Sequence, residues 1–190
     1  MAMSLNDICQ WIRAAAPGGR LVSDSRRVSQ GDVFFAYPGE PADAPQSIPA
    51  ATAAGAAAIV YEENGYAWDA SHQVAHLAVA NLKKNAGPIA HGVLERPDAG
   101  MFTVAVTGTN GKTSCAVWTG QALARLGETA AVIGTLGVGI LSGKDRGKGE
   151  PNFDATGYTT PDAVLLAQTL GGLRAEGATA LAIEASSMCL

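Results

Sequence analysis

Apolar and polar positions alternate in blocks along the chain, and the spacing within each block separates helices from strands. Leu5, Ile8, Ile12 and Ala15 fall on one face at helical spacing, which predicts an opening helix. Ser4 stands where its N-cap belongs, with Asp7 at the capping-box position. Pro17-Gly18-Gly19 ends it. The stretch "LVSDSRRVSQGDVFFAYPG" predicts a short strand, a polar turn and a strand from Val33 to Ala36, closed by Pro38-Gly39. "AATAAGAAAIVY" predicts a small helix, a glycine break and a buried strand, and "VAHLAV" a further strand. Residues 81–94 carry a helical pattern in which Gly87-Pro88 should introduce a kink or a break.

The polar stretch "ERPDAG" at 95–100 predicts a boundary, with one domain over 1–98 and a second over 99–190. The second begins with a β-α-β rhythm. "MFTVAV" predicts a buried strand, Lys112 to Leu126 a helix, and "TAAVIGT" a second strand. Residues 142–157, rich in Gly, Lys, Asp and Pro, predict a long exposed loop. "TTPDAVLLAQTLGGLRAEG" predicts a helix with Thr160 as N-cap and Pro161 at its first position, and "ATALAIE" a third strand. Strands alternating with helices place the chain in the α/β class, with parallel sheets and helices on both faces.

Composition narrows the class of function. Apolar residues are 47% of the 190, enough for a core, and charged residues are 16%. A net charge of −4 leaves no basic footprint for nucleic acid or an acidic membrane. No window approaches the roughly 20 consecutive apolar residues of a membrane span. The N-terminus lacks a basic region followed by an apolar one, so no secretory signal is evident. Cys9, Cys115 and Cys189 are distant from one another and odd in number, forming neither a disulfide framework nor a zinc pattern. These features predict a reduced, cytoplasmic chain.

The strongest candidate chemistry lies in "VTGTNGKTS" at 106–114. Gly108 and Gly111 free the backbone to curl around an anion, and the amides opening the next helix point into the loop. Lys112, the candidate catalytic residue, supplies a point charge for β- and γ-phosphates, and the Thr113 hydroxyl can ligate Mg²⁺. The strict phosphate-loop pattern requires a glycine at 106, where Val106 ends the strand. Strand, glycine loop, Lys-Thr and helix are nevertheless in order. "ALAIE" closes an apolar run on Glu184. Alone, Glu184 could equally be a surface residue at a strand end; beside a phosphate loop it would hold Mg²⁺ directly or through water.

A polar cluster at "DSR", 24–26, is either a solvated turn or a loop that recognises a phosphorylated or sugar ligand. His72 and His76 are four residues apart, but Gln73 replaces the glutamate of a zinc-protease motif and the stretch reads as strand. Cys115 falls in the first turn of the phosphate-loop helix, where a buried packing role is expected. Trp11, Trp68 and Trp118 are scattered, as packing residues rather than a stacking platform.

Taken together, "SDSRRVSQGDVFFAYPG", "VTGTNGKTS", "TTPDA" at 159–163 and "EASS" at 184–187 resemble the Mur ligases, ATP-dependent amide-forming enzymes that build the peptidoglycan stem. The loop form G-T-N-G-K-[ST] is the one that family uses, which accounts for the absent glycine. Within the family, the T-T-P-D turn and E-x-S-S resemble the enzyme that adds the third residue, meso-diaminopimelate or L-lysine, to UDP-N-acetylmuramoyl-L-alanyl-D-glutamate. The neighbouring dipeptide-adding ligase shares the D-S-R segment and is the nearest alternative. A folylpolyglutamate-synthase-like ligase is more distant, and a purely substrate- or nucleotide-binding module is a third reading.

The resemblance implies a UDP-substrate domain, a central ATPase domain and a C-terminal domain. Of these the chain would hold the first and part of the second. The apolar ending "LAIEASSMCL" carries the same expectation, that these residues are the front of a longer protein and do not form amide bonds alone. By position, the resemblance implies that Ser23, Ser25 and the loop Glu40-Pro41-Ala42 meet the UDP part of the substrate. It implies that Thr159, Thr160 and Ser186 meet the muramoyl-peptide side. Gly108, Thr109, Asn110, Gly111, Lys112, Thr113 and Ser114 would hold ATP, and Thr113 and Glu184 would serve Mg²⁺. The implied partners are the UDP-muramoyl dipeptide and a diamino acid, acting on a monomer, with no nucleic acid and no membrane insertion.

Overall fold

The computed structural model describes residues 3–38, 44–143 and 152–186. Glu40, Pro41 and Ala42 lie outside the described residues, as do Ser187 and Cys189. The chain divides into two compact units, residues 1–96 with 163–168, and residues 97–162 with 169–190.

The first unit is built on a four-stranded parallel sheet in the order β1-β2-β3-β4. Its strands are β1 (Leu21–Val22), β2 (Val33–Ala36), β3 (Ala58–Glu62) and β4 (Ala75–Val79). Side chains on a strand alternate between faces, and here each face has its own core. Val33, Phe35, Ala58 and Val60 meet helix α1 (Leu5–Ala15) and helix α3 (Leu82–Val93) through Ile8, Ile12, Leu82, Ala86 and Ile89. Phe34, Ala36, Ile59 and Tyr61 join Ile48 and Ala51 of helix α2 (Ala44–Ala53) on the other face. Phe34 and Phe35 are both essentially fully buried, each contributing on the order of 2 kcal/mol by removal from water.

Helix α1 starts with a complete capping box. Asp7 N donates to Ser4 Oγ at 3.2 Å, and Ser4 N donates back to the Asp7 carboxylate at 3.2 Å. Ile8, Cys9 and Ile12 form its buried stripe, while Leu5 turns outward. Of the kink or break expected at Gly87-Pro88, the break does not occur: α3 runs from Leu82 to Val93 as one helix with Pro88 inside it. Its N-terminal amides are satisfied from outside, because Glu62 accepts from Asn81 N at 3.0 Å and Leu82 N at 2.7 Å. Ala86 before the proline and Ile89 and Ala90 after it are buried, so tertiary packing carries the helix through.

Among the described residues of this unit, Asp32 is the buried charge. It accepts from Arg20 Nε at 3.0 Å, Arg20 Nη2 at 2.6 Å and Ser29 N at 2.8 Å. Burial by itself pushes its carboxyl up, but the guanidinium and the Ser29 amide outweigh that and hold the pKa below the ordinary value.

The second unit holds β5 (Phe102–Val106), β6 (Ala130–Gly134), β7 (Gly137–Leu141) and β8 (Ala180–Glu184) in the order β5-β8-β6-β7. β5, β8 and β6 are parallel, while β7 returns antiparallel to β6 through a tight turn. β7 was not predicted: glycines at 137 and 139 interrupt the apolar pattern. Those glycines have a steric cause, since a Cβ at Gly139 would lie 2.8 Å from the Asn152 carbonyl oxygen.

Helix α4 (Lys112–Arg125) packs on the sheet through Ala116 and Ala124, against Val132, Leu141 and Ala182. A Cβ at Gly120 would overlap the Val132 side chain, so glycine permits the close helix-to-strand approach.

Three expectations are corrected here. β5 was expected to be buried, but it is a sheet edge among the described strands and Phe102 is 62% exposed. Cys115 was expected to pack inside the helix interface, but its thiol is exposed because Ala116 and Gly120 take the buried positions. Helix α5 (Ala163–Ala175) starts at 163, so Thr160 is not its N-cap nor Pro161 its first residue. The Thr160 hydroxyl is engaged with the end of β8 instead.

Candidate functional site

Parallel strands that end together leave a crevice beyond their carboxyl ends. In the second unit, β5, β6 and β8 end on Val106, Gly134 and Glu184, and the candidate residues collect there. Val106 is in register with Glu184, and Ala185 N donates to Val106 O at 2.8 Å. The glycine loop therefore leaves the sheet directly beside Glu184.

Gly108 has φ +142 and Gly111 has φ +78, values that favour glycine. Gly111 is the N-cap of α4, and the first helical bond runs from Cys115 N to Gly111 O at 2.9 Å. Thr109, Asn110 and Ser114 are exposed. Lys112 Nζ donates to Gly108 O at 2.8 Å, which folds the ammonium over the loop.

Glu184 is 2% exposed and is held by three donors. Thr113 Oγ1 donates to Glu184 Oε2 at 3.0 Å, Thr135 N to Oε1 at 2.8 Å, and Thr135 Oγ1 to Oε2 at 3.3 Å. Gly134 leaves the room: a Cβ there would collide with the carboxylate, reaching 2.6 Å from Cδ. Burying a carboxylate is unfavourable unless its oxygens are satisfied, so this arrangement is built around the charge.

The remaining candidates of this unit meet the same strand end. Thr160 Oγ1 donates to Glu184 O at 2.9 Å and accepts from Ser186 N at 2.9 Å. Thr160 thereby splints the chain where β8 ends and fixes the backbone of Ser186. Thr159 Oγ1 lies 3.1 Å from Thr135 Oγ1. Thr135 was missed in the sequence. Its only signal was its place immediately after an apolar strand in a parallel sheet, where the loop residues face the crevice.

In the first unit, Ser23 follows β1 and Ser25 opens a 3-10 turn, Ser25–Arg27, both half-buried at a strand's carboxyl end. Asp24 caps that turn, accepting from Arg26 N at 3.0 Å, and pairs with the Arg26 guanidinium at 2.7 Å. That hydrogen bond holds the Asp24 carboxyl below its ordinary pKa. His76 stacks on Trp68 with centroids 3.9 Å apart, and His72 meets Trp68 edge-on. Both histidines thus belong to an aromatic cluster with Tyr61 and Tyr66.

A parallel strand, a glycine loop, Lys-Thr at a helix start and an acidic residue on the adjacent strand define an α/β phosphate-loop domain. Residues 106–190 match the Mur ligase middle domain. A UDP-N-acetylmuramoyl-L-alanyl-D-glutamate–2,6-diaminopimelate ligase of Janthinobacterium sp. (strain Marseille) is 57% identical over 98% of this chain and 36% of its own length. One of the same description from Chromobacterium violaceum is 44% identical over 90% of this chain and 33% of its own. A solved structure of such a ligase superposes with a TM-score of 0.65 at 29% identity, covering 89% of this chain and 32% of the other. Over nearly its whole length the chain is thus similar to the N-terminal third of Mur ligases, with that family's middle domain matched from residue 106 on. It spans about a third of the length of the curated relatives it matches.

Proposed function

We propose that this chain is part of an ATP-dependent ligase that adds the third amino acid, a diamino acid, to UDP-N-acetylmuramoyl-L-alanyl-D-glutamate in peptidoglycan synthesis. The observation that carries the reading is the buried Glu184 carboxylate hydrogen-bonded to Thr113 at the root of the glycine loop. The 57% identity to a ligase of that description supports the substrate over the dipeptide-adding alternative.

In this reading residues 1–98 bind the UDP-muramoyl substrate, with Ser23, Ser25 and the loop Glu40-Pro41-Ala42 on its UDP part. Residues 99–190 are the N-terminal part of the ATPase domain. The amides and hydroxyls from Gly108 to Ser114 hold the ATP phosphates, and Lys112 swings from Gly108 O to the β- and γ-phosphates. Thr113 and Glu184 would hold Mg²⁺, because hydroxyl and carboxylate oxygens are the donors a hard divalent cation takes. When bound, that ion neutralises charge on the transferring phosphoryl group. Thr159, Thr160 and Ser186 orient the muramoyl-peptide side.

The substrate's terminal carboxylate attacks the γ-phosphorus, giving an acyl phosphate and ADP. The amine of the diamino acid then adds to the acyl carbon and expels phosphate. Positioning and charge neutralisation suffice for phosphoryl transfer, so no nucleophilic side chain is required. The protein works as a monomer in the cytoplasm, with small-molecule partners. Among the described residues no helix is long and apolar enough to cross a membrane.

Calorimetric titration with the UDP-muramoyl dipeptide, followed by a phosphate-release assay with ATP and diaminopimelate or lysine, tests the reading. The 190 residues are expected to bind the dipeptide weakly and to release no amino-acid-dependent phosphate. The same assay on a protein extended to the length of its relatives is expected to release it. Absence of release there, with either amino acid, overturns the ligase reading.

A further inference from the structure

We infer that Thr135 is a positioning residue for Glu184, and that it ties the Thr159 hydroxyl to the candidate metal carboxylate. The inference rests on the nucleotide and metal reading above. Thr135 holds both carboxylate oxygens, Oε1 through its amide at 2.8 Å and Oε2 through its hydroxyl at 3.3 Å. Two contacts from one residue fix the rotation of the carboxylate plane, which a single contact from Thr113 does not.

The proton directions follow from the chemistry of the groups. As a carboxylate, Glu184 only accepts, so the hydroxyl protons of Thr113 and Thr135 both point at Oε2. Thr135 has one hydroxyl proton and has used it. The 3.1 Å contact between Thr135 and Thr159 therefore has Thr159 as donor. The result is a directed chain from Thr159 through Thr135 to Glu184, met from the other side by Thr113. With its proton on Glu184, Thr113 keeps its oxygen lone pairs for a cation. Thr135 is itself exposed, facing the crevice, so replacing it opens no cavity in the core.

The chain thus connects a residue proposed for the muramoyl-peptide side to the two proposed for the metal, through one residue whose hydrogen bonds run to Glu184 and Thr159. Partners of metal ligands typically change metal affinity by about 10- to 100-fold when removed. Because the Thr135 amide remains after substitution, the lower end, about tenfold, is expected here.

The test is calorimetric binding of a non-hydrolysable ATP analogue to the full chain, with Mg²⁺ and with a chelator. Wild type is expected to bind more tightly with Mg²⁺, and Glu184→Gln to lose that enhancement. Thr135→Val and Thr135→Ala are expected to keep the metal-free affinity and lose about tenfold with Mg²⁺, while Thr135→Ser restores it. An undiminished Mg²⁺ enhancement in both Thr135→Val and Thr135→Ala, beside a lost one in Glu184→Gln, overturns the inference alone. Equal losses with and without Mg²⁺, unrescued by serine, also overturn it in favour of a purely structural threonine. A wild type with no Mg²⁺ enhancement overturns the metal reading and the inference with it.

Discussion

The Thr113 hydroxyl donates to the Glu184 carboxylate at 3.0 Å although the two residues are 71 positions apart. The contact joins the first turn of α4, which follows the glycine loop, to the end of β8, the strand paired with β5 that precedes it. Thr113→Val keeps the shape of the side chain and removes the donor. It is expected to weaken Mg²⁺-dependent nucleotide binding by roughly tenfold or more, measured by titration with and without the ion.

Gly134 gives the carboxylate its space. A methyl group there would overlap Glu184 Oε1 and come 2.8 Å from its Cγ. Gly134→Ala is expected to destabilise the chain by about 1–3 kcal/mol through overpacking. Urea unfolding measures this, and the same variant should lose the Mg²⁺ enhancement because the carboxylate is driven off its donors.

Lys112 rests on Gly108 O at 2.8 Å, on the surface of the loop and away from any core. Lys112→Ala is therefore expected to leave the circular dichroism spectrum and melting temperature near wild type. Nucleotide affinity should fall by at least about tenfold, because a charge-assisted contact to phosphate is lost. In the proposed full-length ligase the same substitution should abolish turnover.

The Arg20–Asp32 pair makes a pH-dependent contribution in the first unit. The Asp32 pKa is below its ordinary value of 3.8, so the pair's stabilisation is fully present above that value. It is lost as pH falls through the lower folded pKa. Asp32→Asn is expected to lower stability by about 1–3 kcal/mol at neutral pH, since buried hydrogen bonds to a charge are replaced by poorer ones. Acid titration of the urea midpoint should be shallower in that variant than in wild type.

Ser4 closes the capping box of α1 at an exposed helix end. Ser4→Ala is expected to lower stability by about 1 kcal/mol, without effect on nucleotide binding, as checked by denaturation and titration in parallel.

Much of this molecule follows from local sequence. Ser4 with Asp7 sets the start of α1, and alternating Val33, Phe34, Phe35 and Ala36 set a strand with two buried faces. Gly108 and Gly111 followed by Lys112-Thr113 set a loop whose backbone reaches positive φ before a helix. Each depends on neighbours in sequence: a cap on its own helix, a side-chain period, a glycine's freedom. Other features were decided by residues distant in sequence. Pro88 stays inside a helix because the surrounding side chains are buried on a sheet. Thr160, a good N-cap by composition, instead serves the end of β8, since two backbone groups there need a partner. β7 is hidden in sequence because its glycines answer to the segment around Asn152 rather than to the strand's own period. Thr135 carried almost no signal, because its value lies in meeting Glu184, 49 positions away. Sequence alone determined the strand, glycine loop and helix proposed to receive a phosphate. Only the tertiary structure decided which oxygens surround Glu184, because a buried carboxylate must find its donors wherever the sheet brings them.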